Sequence, residues 1–107
     1  MNLPTVVTQL VNAQNNYDSK TYAECFTDTA IVHDEGKTHN GKEEIYQWIE
    51  DANKKYKSLM KPLKYEESAS KGILIAEVSG NFTGSPVVLQ FHLVFKDNYI
   101  DSLKVTG

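Results

Sequence analysis

Cysteine is nearly absent from this sequence of 107 residues, since Cys25 is the only one. A chain with one cysteine forms no internal disulfide and offers no cluster of thiolates to a metal ion. Cys25 precedes Phe26 and follows an apparent helix, which is typical of a small buried apolar residue. We therefore expect no disulfide, no metal site and no other cofactor.

A long hydrophobic run is also missing. The first residues, MNLPTVVTQLV, carry no basic segment, and Pro4 and Gln9 interrupt their apolar stretch. Such a segment fits neither a signal peptide nor a membrane span. We expect a cytoplasmic protein that does not bind membranes.

Positive charge is not in excess, because the formal net charge is -3. A group of lysines lies in the middle of the chain, but Glu66 and Glu67 follow it at once; the lysines are Lys54, Lys55, Lys57, Lys61 and Lys64. This mixture indicates the solvated end of a helix and not a surface for nucleic acid. We expect no nucleic-acid partner.

The bulk composition is that of an ordinary globular protein, with 40% hydrophobic and 23% charged residues. The length allows one domain with a real core and is too short for a second. No repeat, low-complexity tract or linker divides the chain. We therefore expect one domain over residues 1–107.

Helical spacing dominates the first half of the chain. An N-terminal helix is indicated by a stripe at Val6, Val7, Leu10, Val11 and Gln14. Asp18 is a suitable cap for a short second helix. A third helix, from about Gly41 to Lys57, is predicted by the stripe Ile45, Trp48, Ile49, Ala52 and Tyr56. Asn40 and Glu43 have the spacing of a capping box at its start.

The remaining segments favour β-structure. We predict one strand at residues 29–34 between the second and third helices, and four more at residues 63–69, 73–82, 87–95 and 99–105. Pro62 indicates that the long helix does not continue past Lys61. The element order is then α-α-β-α-β-β-β-β, an α+β class in which helices pack on a curved, mostly antiparallel sheet. A strongly bent sheet wrapped around helices leaves a cone-shaped cavity.

The strand at residues 87–95 alternates between two faces, with Leu89, Phe91, Leu93 and Phe95 on the side expected to face the core. Several strands are nonetheless apolar on both faces, which exceeds what one buried face needs. We expect a homodimer through the convex face of the sheet. The interface candidates are Val88, Gln90, His92 and Val94.

An ordered set of motifs resembles the nuclear-transport-factor-2-like superfamily in its SnoaL-like branch. The stretches that carry the resemblance are NNYDSKTYAECFTDTAIVHDEG, HNGKEEIYQWI and VSGNFTGSP, followed by an alternating strand. The resemblance covers nearly the whole chain and implies a cone-shaped α+β fold, a pocket between sheet and helices, and commonly a homodimer. It implies no single function, because members include isomerases, cyclases, dehydratases and proteins that only bind or assemble.

Asp34 is the candidate catalytic residue. Ala30, Val32 and Asp34 share one face of a strand, so Asp34 points into the cone if Val32 does. In isomerases that the chain resembles, an aspartate at this point is the general base; ketosteroid isomerase is a standard example. Apolar neighbours would raise the pKa of its carboxyl and suit it to proton transfer. The alternative is that Asp34 is merely solvated, or caps the strand end.

The rest of the isomerase machinery is not evident in this sequence. The resemblance places the oxyanion-binding tyrosine of those enzymes near Leu10, and their second acid near His92 or Leu93. A one-residue shift decides which of these two faces inward, and the alternation puts His92 outside. Steroid isomerisation is therefore not expected.

We expect aromatic and apolar side chains to line the pocket: Tyr17, Tyr22, Phe26, Val32, Trp48, Tyr56 and Phe91. At its rim we expect His33, Glu35 and His39, for which a polar loop is favoured over a metal site. Two functions remain open. One is a small-molecule-binding domain for a small apolar ligand. The other is a cofactor-free isomerase, cyclase or dehydratase that uses Asp34 as base on a small carbonyl compound.

Overall fold

A computed structural model describes all 107 residues, which form three helices and six strands. In chain order they are α1 Thr5–Asn15, α2 Ser19–Glu24, β1 Phe26–Asp34, β2 Lys37–Asn40, α3 Gly41–Tyr56, β3 Leu59–Ser68, β4 Lys71–Ser79, β5 Val87–Lys96 and β6 Tyr99–Thr106. The strands form one curved sheet in the order β2-β1-β6-β5-β4-β3. Only the β1–β6 pair is parallel. The predicted α+β class, with helices packed on a mostly antiparallel sheet, is confirmed.

Strand β2 was not predicted, so the expected element order lacked one strand. It pairs antiparallel with β1, where Asp34 lies opposite Lys37. The two strands are joined by Glu35 and Gly36, both with positive φ, as a two-residue hairpin requires. The sequence conceals this strand because its four residues, KTHN, are polar and lie at the sheet edge.

Strand β3 begins at Leu59, earlier than expected, and Pro62 lies inside it. The register with β4 shifts between Pro62 and Lys64, and β3 is an edge strand. A proline, which has no N–H to donate, is tolerated at such a position. Pro62 therefore marks a bulge in a strand. Helix α3 has already ended at Tyr56, where Lys57 takes a left-handed φ of 50°.

The two predicted helix caps differ in outcome. Asp18 caps α2, because its carboxylate accepts a hydrogen bond from the Thr21 N–H at 3.1 Å. The capping box at α3 is wrong, since the Asn40 side chain makes no capping bond. Instead, Glu44 accepts from the Asn40 N–H at 2.9 Å. Gly41, with a φ of 82°, turns the chain directly from β2 into the helix.

The core lies between the helices and the concave face of the sheet. Its fully enclosed side chains include Val7, Leu10, Phe26, Val32, Ile45, Leu74, Leu93, Ile100 and Leu103. Trp48, one turn along α3 from Ile45, is only partly buried and packs against this core. The core is therefore complete under the first half of α3 and open beside the second half. No helix of the chain is both long and apolar enough to cross a membrane.

Candidate functional site

A cavity of about 700 Å³ lies between α3 and the concave face of the sheet. Five aromatic rings line it: Tyr22, Trp48, Tyr56, Phe82 and Phe91. Aliphatic side chains from the helix and sheet complete the wall, among them Ile49, Ala52, Met60, Val78 and Leu89. Hydrophobic residues thus make up about half of the lining, and polar or charged residues, among them Asp34, Glu35, Lys37 and Lys55, make up most of the rest.

Asp34 is the last residue of β1, and its half-buried carboxyl group lies at this cavity. Burial raises the pKa of the carboxyl group, and the neighbouring Glu35 carboxylate adds to the rise. The indole N–H of Trp48, the His39 ring and the backbone N–H of Glu35 oppose it. The net pKa is raised, because loss of solvent outweighs these stabilising partners.

Tyr22 brings a hydroxyl group to the same cavity as Asp34. The side chain is 3% exposed, and its ring packs edge-on against Trp48 with 6.0 Å between centroids. No hydrogen-bond acceptor in the chain pairs with the hydroxyl, yet no enclosed polar atom is left unpaired, so the hydroxyl opens into the cavity. Burial raises the pKa of Tyr22 far above 10, with smaller contributions from Cys25 and Asp34. Tyr22 therefore stays protonated and can donate a hydrogen bond to a ligand.

The structure brings several of the candidate residues together at the cavity: Tyr22, Asp34, Glu35, His39, Trp48, Tyr56 and Phe91. His33 is not among them. It is exposed on the opposite side of β1 and lies beside Thr38, with 3.3 Å between Nδ1 and the Thr38 hydroxyl oxygen. No group of three His, Cys, Asp or Glu residues is placed to hold a metal ion.

Three expected pocket residues do not line the cavity. Tyr17 is 40% exposed, has a φ of 53°, and donates its hydroxyl hydrogen to the Lys57 carbonyl oxygen at 2.8 Å. Phe26 and Val32 face inward but are fully enclosed in the core below the cavity. Strand alternation gives the face on which a side chain lies, but not its depth below the cavity floor.

A polar group that the sequence did not single out lies at the cavity as well. Gln14 of α1 and Asn53 of α3 are each 7% exposed and are joined by a hydrogen bond of 3.0 Å. Ser58 lies beside them, and its carbonyl oxygen accepts a second bond from Gln14 at 2.9 Å. The available signal was that Gln14 continues the apolar stripe of α1, where a polar residue must have a buried partner.

Comparison with solved structures places this architecture among known proteins. A protein from Sinorhizobium meliloti that is provisionally named a polyketide cyclase is 34% identical, with 97% of this chain and 95% of that chain covered and a TM-score of 0.93. A protein of ketosteroid-isomerase-like fold from Catenulispora acidiphila, in complex with trimethylamine, has a TM-score of 0.89 at 18% identity, over 99% and 87% of the two chains. No protein-family model and no curated protein matches the chain.

The helices on a curved sheet, with a cavity between them, define the nuclear-transport-factor-2-like fold. The Sinorhizobium relative is similar in sequence over nearly its full length, so the comparison shows the family of this chain as well as its fold. The chain belongs to the SnoaL-like branch of the nuclear-transport-factor-2-like superfamily.

Proposed function

We propose that the protein binds a small, largely apolar molecule in the cavity beside α3. The observation that carries this proposal is a cavity whose lining combines the Asp34 carboxyl group with five aromatic rings. Ligand pockets usually combine an apolar wall with a few polar groups, and they span about 300–1,000 Å³. The cavity volume of about 700 Å³ lies within that range.

A thermal-shift screen tests this proposal, because a ligand that binds only the folded state stabilises it by about 2.7 kcal/mol at 100 times its Kd. The screen uses 1-tetralone and 2-cyclohexenone as small apolar carbonyl compounds. It also includes trimethylamine, since the Catenulispora neighbour holds that molecule. We expect a carbonyl compound to raise the Tm, whereas a screen in which no compound does so would contradict the proposal.

A pair of variants shows whether binding occurs in this cavity. Ala52 lines the cavity from α3, so Ala52→Phe fills part of it and should abolish the rise in Tm caused by a ligand. Lys54→Phe adds the same ring to the exposed face of the helix and should leave the rise unchanged. Equal responses of the two variants would place the binding elsewhere.

A second candidate function is proton transfer on a carbonyl compound, with Asp34 as general base. Two observations favour it: the raised pKa of Asp34, and the protonated hydroxyl that Tyr22 brings to the same cavity. A raised pKa makes the carboxylate a stronger base. A protonated phenol that donates to an oxygen stabilises negative charge developing there.

The reaction would proceed through an enolate. The Asp34 carboxylate takes a proton from the carbon beside the carbonyl group. The electrons of that C–H bond form a C=C bond, and the carbonyl π electrons move to the oxygen, which accepts a hydrogen bond from Tyr22. Asp34 then returns the proton to carbon, so that no cofactor or co-reactant is consumed.

Exchange of the α-hydrogens of 1-tetralone for deuterium in D₂O, followed by NMR, measures this proton abstraction directly. We expect the protein to accelerate exchange and Asp34→Asn to abolish the acceleration. Tyr22→Phe should lower the rate by about 10²-fold. Glu35→Gln neutralises the adjacent carboxylate at the same cavity and should keep most of the acceleration, with a small loss because Glu35 helps to raise the pKa of Asp34. Exchange that survives Asp34→Asn and is lost in Glu35→Gln would assign the base to Glu35.

A further inference from the structure

The side-chain amide of Gln14 has one orientation. Its Nε2 donates to Asn53 Oδ1 at 3.0 Å and to the Ser58 carbonyl oxygen at 2.9 Å. A backbone carbonyl can only accept, so the atom facing Ser58 must be the nitrogen. The carbonyl oxygen of Gln14, Oε1, is therefore the side-chain atom that takes part in neither of these two bonds.

No donor in the chain pairs with Gln14 Oε1. The residue is 93% buried, since it is 7% exposed, yet the chain contains no enclosed side-chain oxygen or nitrogen without a partner. Oε1 must therefore have an open side, and Gln14 lines the cavity. Because Gln14 lines the cavity, the open side of Oε1 is assigned to the space in which a ligand would lie.

Gln14 cannot turn away easily, because its partner Asn53 is held by further bonds. Asn53 Nδ2 donates to the Ser19 hydroxyl oxygen at 3.3 Å, and the Ser19 hydroxyl donates to Glu50 at 2.9 Å. The chain of bonds connects α1, α2 and α3 beneath the cavity. Both ends of the Asn53 side-chain amide are therefore bonded, which limits how far its partner Gln14 can move.

The Gln14 acceptor lies away from Asp34. Trp48 lowers the pKa of Asp34, whereas Asn53 bonds to Gln14, and Trp48 and Asn53 lie on the same helix. A rise of 1.5 Å per residue separates them by about 7.5 Å along α3. Asp34 and Gln14 line the same cavity, and a ligand of two or three ring widths spans a separation of this size.

We propose that Gln14 is a specificity-determining residue that accepts a hydrogen bond from a hydroxyl group of the ligand. The ligand class is then a small apolar carbonyl compound that carries a hydroxyl at the end remote from its carbonyl group. This inference rests on the proposed function, since it names the substrate class for the same cavity. Gln14 Oε1 is a neutral acceptor, which pairs with an uncharged donor such as a hydroxyl without burying a charge.

The test compares three probes by isothermal titration: 6-hydroxy-1-tetralone, 1-tetralone and 6-methoxy-1-tetralone. The three share one ring system, and only the first has a donor opposite its carbonyl group. We expect the hydroxylated probe to bind about tenfold more tightly than the others, as one net hydrogen bond allows. Without an acceptor in the cavity it would bind more weakly than 1-tetralone, because its hydroxyl would lose water without replacement.

Gln14→Met should remove the preference, because it keeps the length of the side chain and deletes the acceptor. Gln9→Met is the control, since it makes the same change on the exposed face of α1. Circular dichroism establishes whether Gln14→Met folds. If Gln14→Met does not fold, the side-chain carbonyl ¹³C resonance of Gln14 is followed in the unchanged protein instead. This resonance must then shift on addition of the hydroxylated probe and not on addition of the other two.

The outcomes distinguish a failure of the proposed Gln14 role from a failure of the proposed ligand-binding function. Equal affinity for the three probes, or a preference for the hydroxyl that persists in Gln14→Met, overturns the role of Gln14 and leaves the binding function standing. A protein that binds none of the three, and whose Tm no carbonyl compound raises, overturns both.

Discussion

The ring of His39 stacks on the indole of Trp48, with 5.5 Å between centroids and 27° between planes. His39 belongs to β2 and Trp48 to α3, so the stack joins the edge hairpin to the helix above Asp34. Both residues lower the pKa of Asp34, against the rise caused by burial. The ionisation of the candidate base therefore depends on an edge strand whose residues are all polar.

The first prediction concerns the pKa of Asp34. We expect an NMR titration of its carboxyl carbon to give a value above 3.8, its ordinary value. Trp48→Phe should raise the pKa further, because the ring remains and the indole N–H that stabilises the carboxylate is lost. Tyr99→Phe, at an exposed residue of β6, is the control and should change nothing. A value at or below 3.8 in the unchanged protein would remove the reason for treating Asp34 as a base.

The second prediction is a pH dependence of stability. Because the folded-state pKa of Asp34 is raised, its protonated form is favoured in the fold. This contribution is fully present below pH 3.8 and is lost as the pH rises through the folded-state value. Asn resembles the protonated acid, so Asp34→Asn should have a higher Tm than the unchanged protein at pH 7.

The difference in Tm should close as the pH approaches 3, where Asp34 is protonated in both the folded and the unfolded state. Asp97→Asn, in the exposed turn between β5 and β6, is the matched control and should show no such divergence. Thermal unfolding by circular dichroism at a series of pH values measures the effect. A Tm of Asp34→Asn below that of the unchanged protein at pH 7 would mean that the fold stabilises the carboxylate.

The third prediction concerns the hydrogen bonds beneath the cavity. Asn53→Ala removes the acceptor of Gln14 Nε2 and the donor to Ser19. Leaving buried polar groups unpaired costs about 1–3 kcal/mol, so chemical denaturation should show a loss of that size. Asn12→Ala, on the exposed face of α1, should cost much less. Equal losses in the two variants would show that the buried bonds add nothing to stability.

The fourth prediction is the homodimer. The convex face of the sheet carries an apolar group, Ile73, Ile75, Val88 and Val94, beside Gln90 and His92. Val88 is the most exposed of these apolar residues, at 52%. We propose that a second copy covers this face, so that light scattering gives about twice the chain mass of 12.1 kDa.

A charge on this face should separate the copies. Val88→Lys is expected to give the 12.1 kDa species at micromolar concentration, because it replaces an apolar side chain of the interface with a charged one that must lose its water. Leu63→Lys changes a residue of similar exposure, 45%, on the edge strand β3 and should leave the dimer intact. A single-chain mass for the unchanged protein would contradict the prediction.

The sequence was informative wherever a periodic pattern met a buried face. The stripe of α3 predicted the helix and the inward side of Ile45 and Ile49, because a helix buries one face only. The alternation of β5 predicted that Phe91 and Leu93 would be buried and that His92 would lie on the other side. The same alternation in β1 predicted the inward side of Asp34, since Asp34 shares a face with Ala30 and Val32.

Only the tertiary structure decided how deeply each inward side chain is buried and which distant residues it contacts. Phe26 and Val32 face inward like Phe91, yet the helices close over them and leave Phe91 at the cavity. Strand β2 carries no apolar pattern, because an edge strand is held by hydrogen bonds to β1 and not by burial. Gln14 and Asn53 are 39 positions apart, and no local spacing signals their bond. Periodicity reports which way a side chain points, whereas a site is made by what the rest of the chain places opposite it.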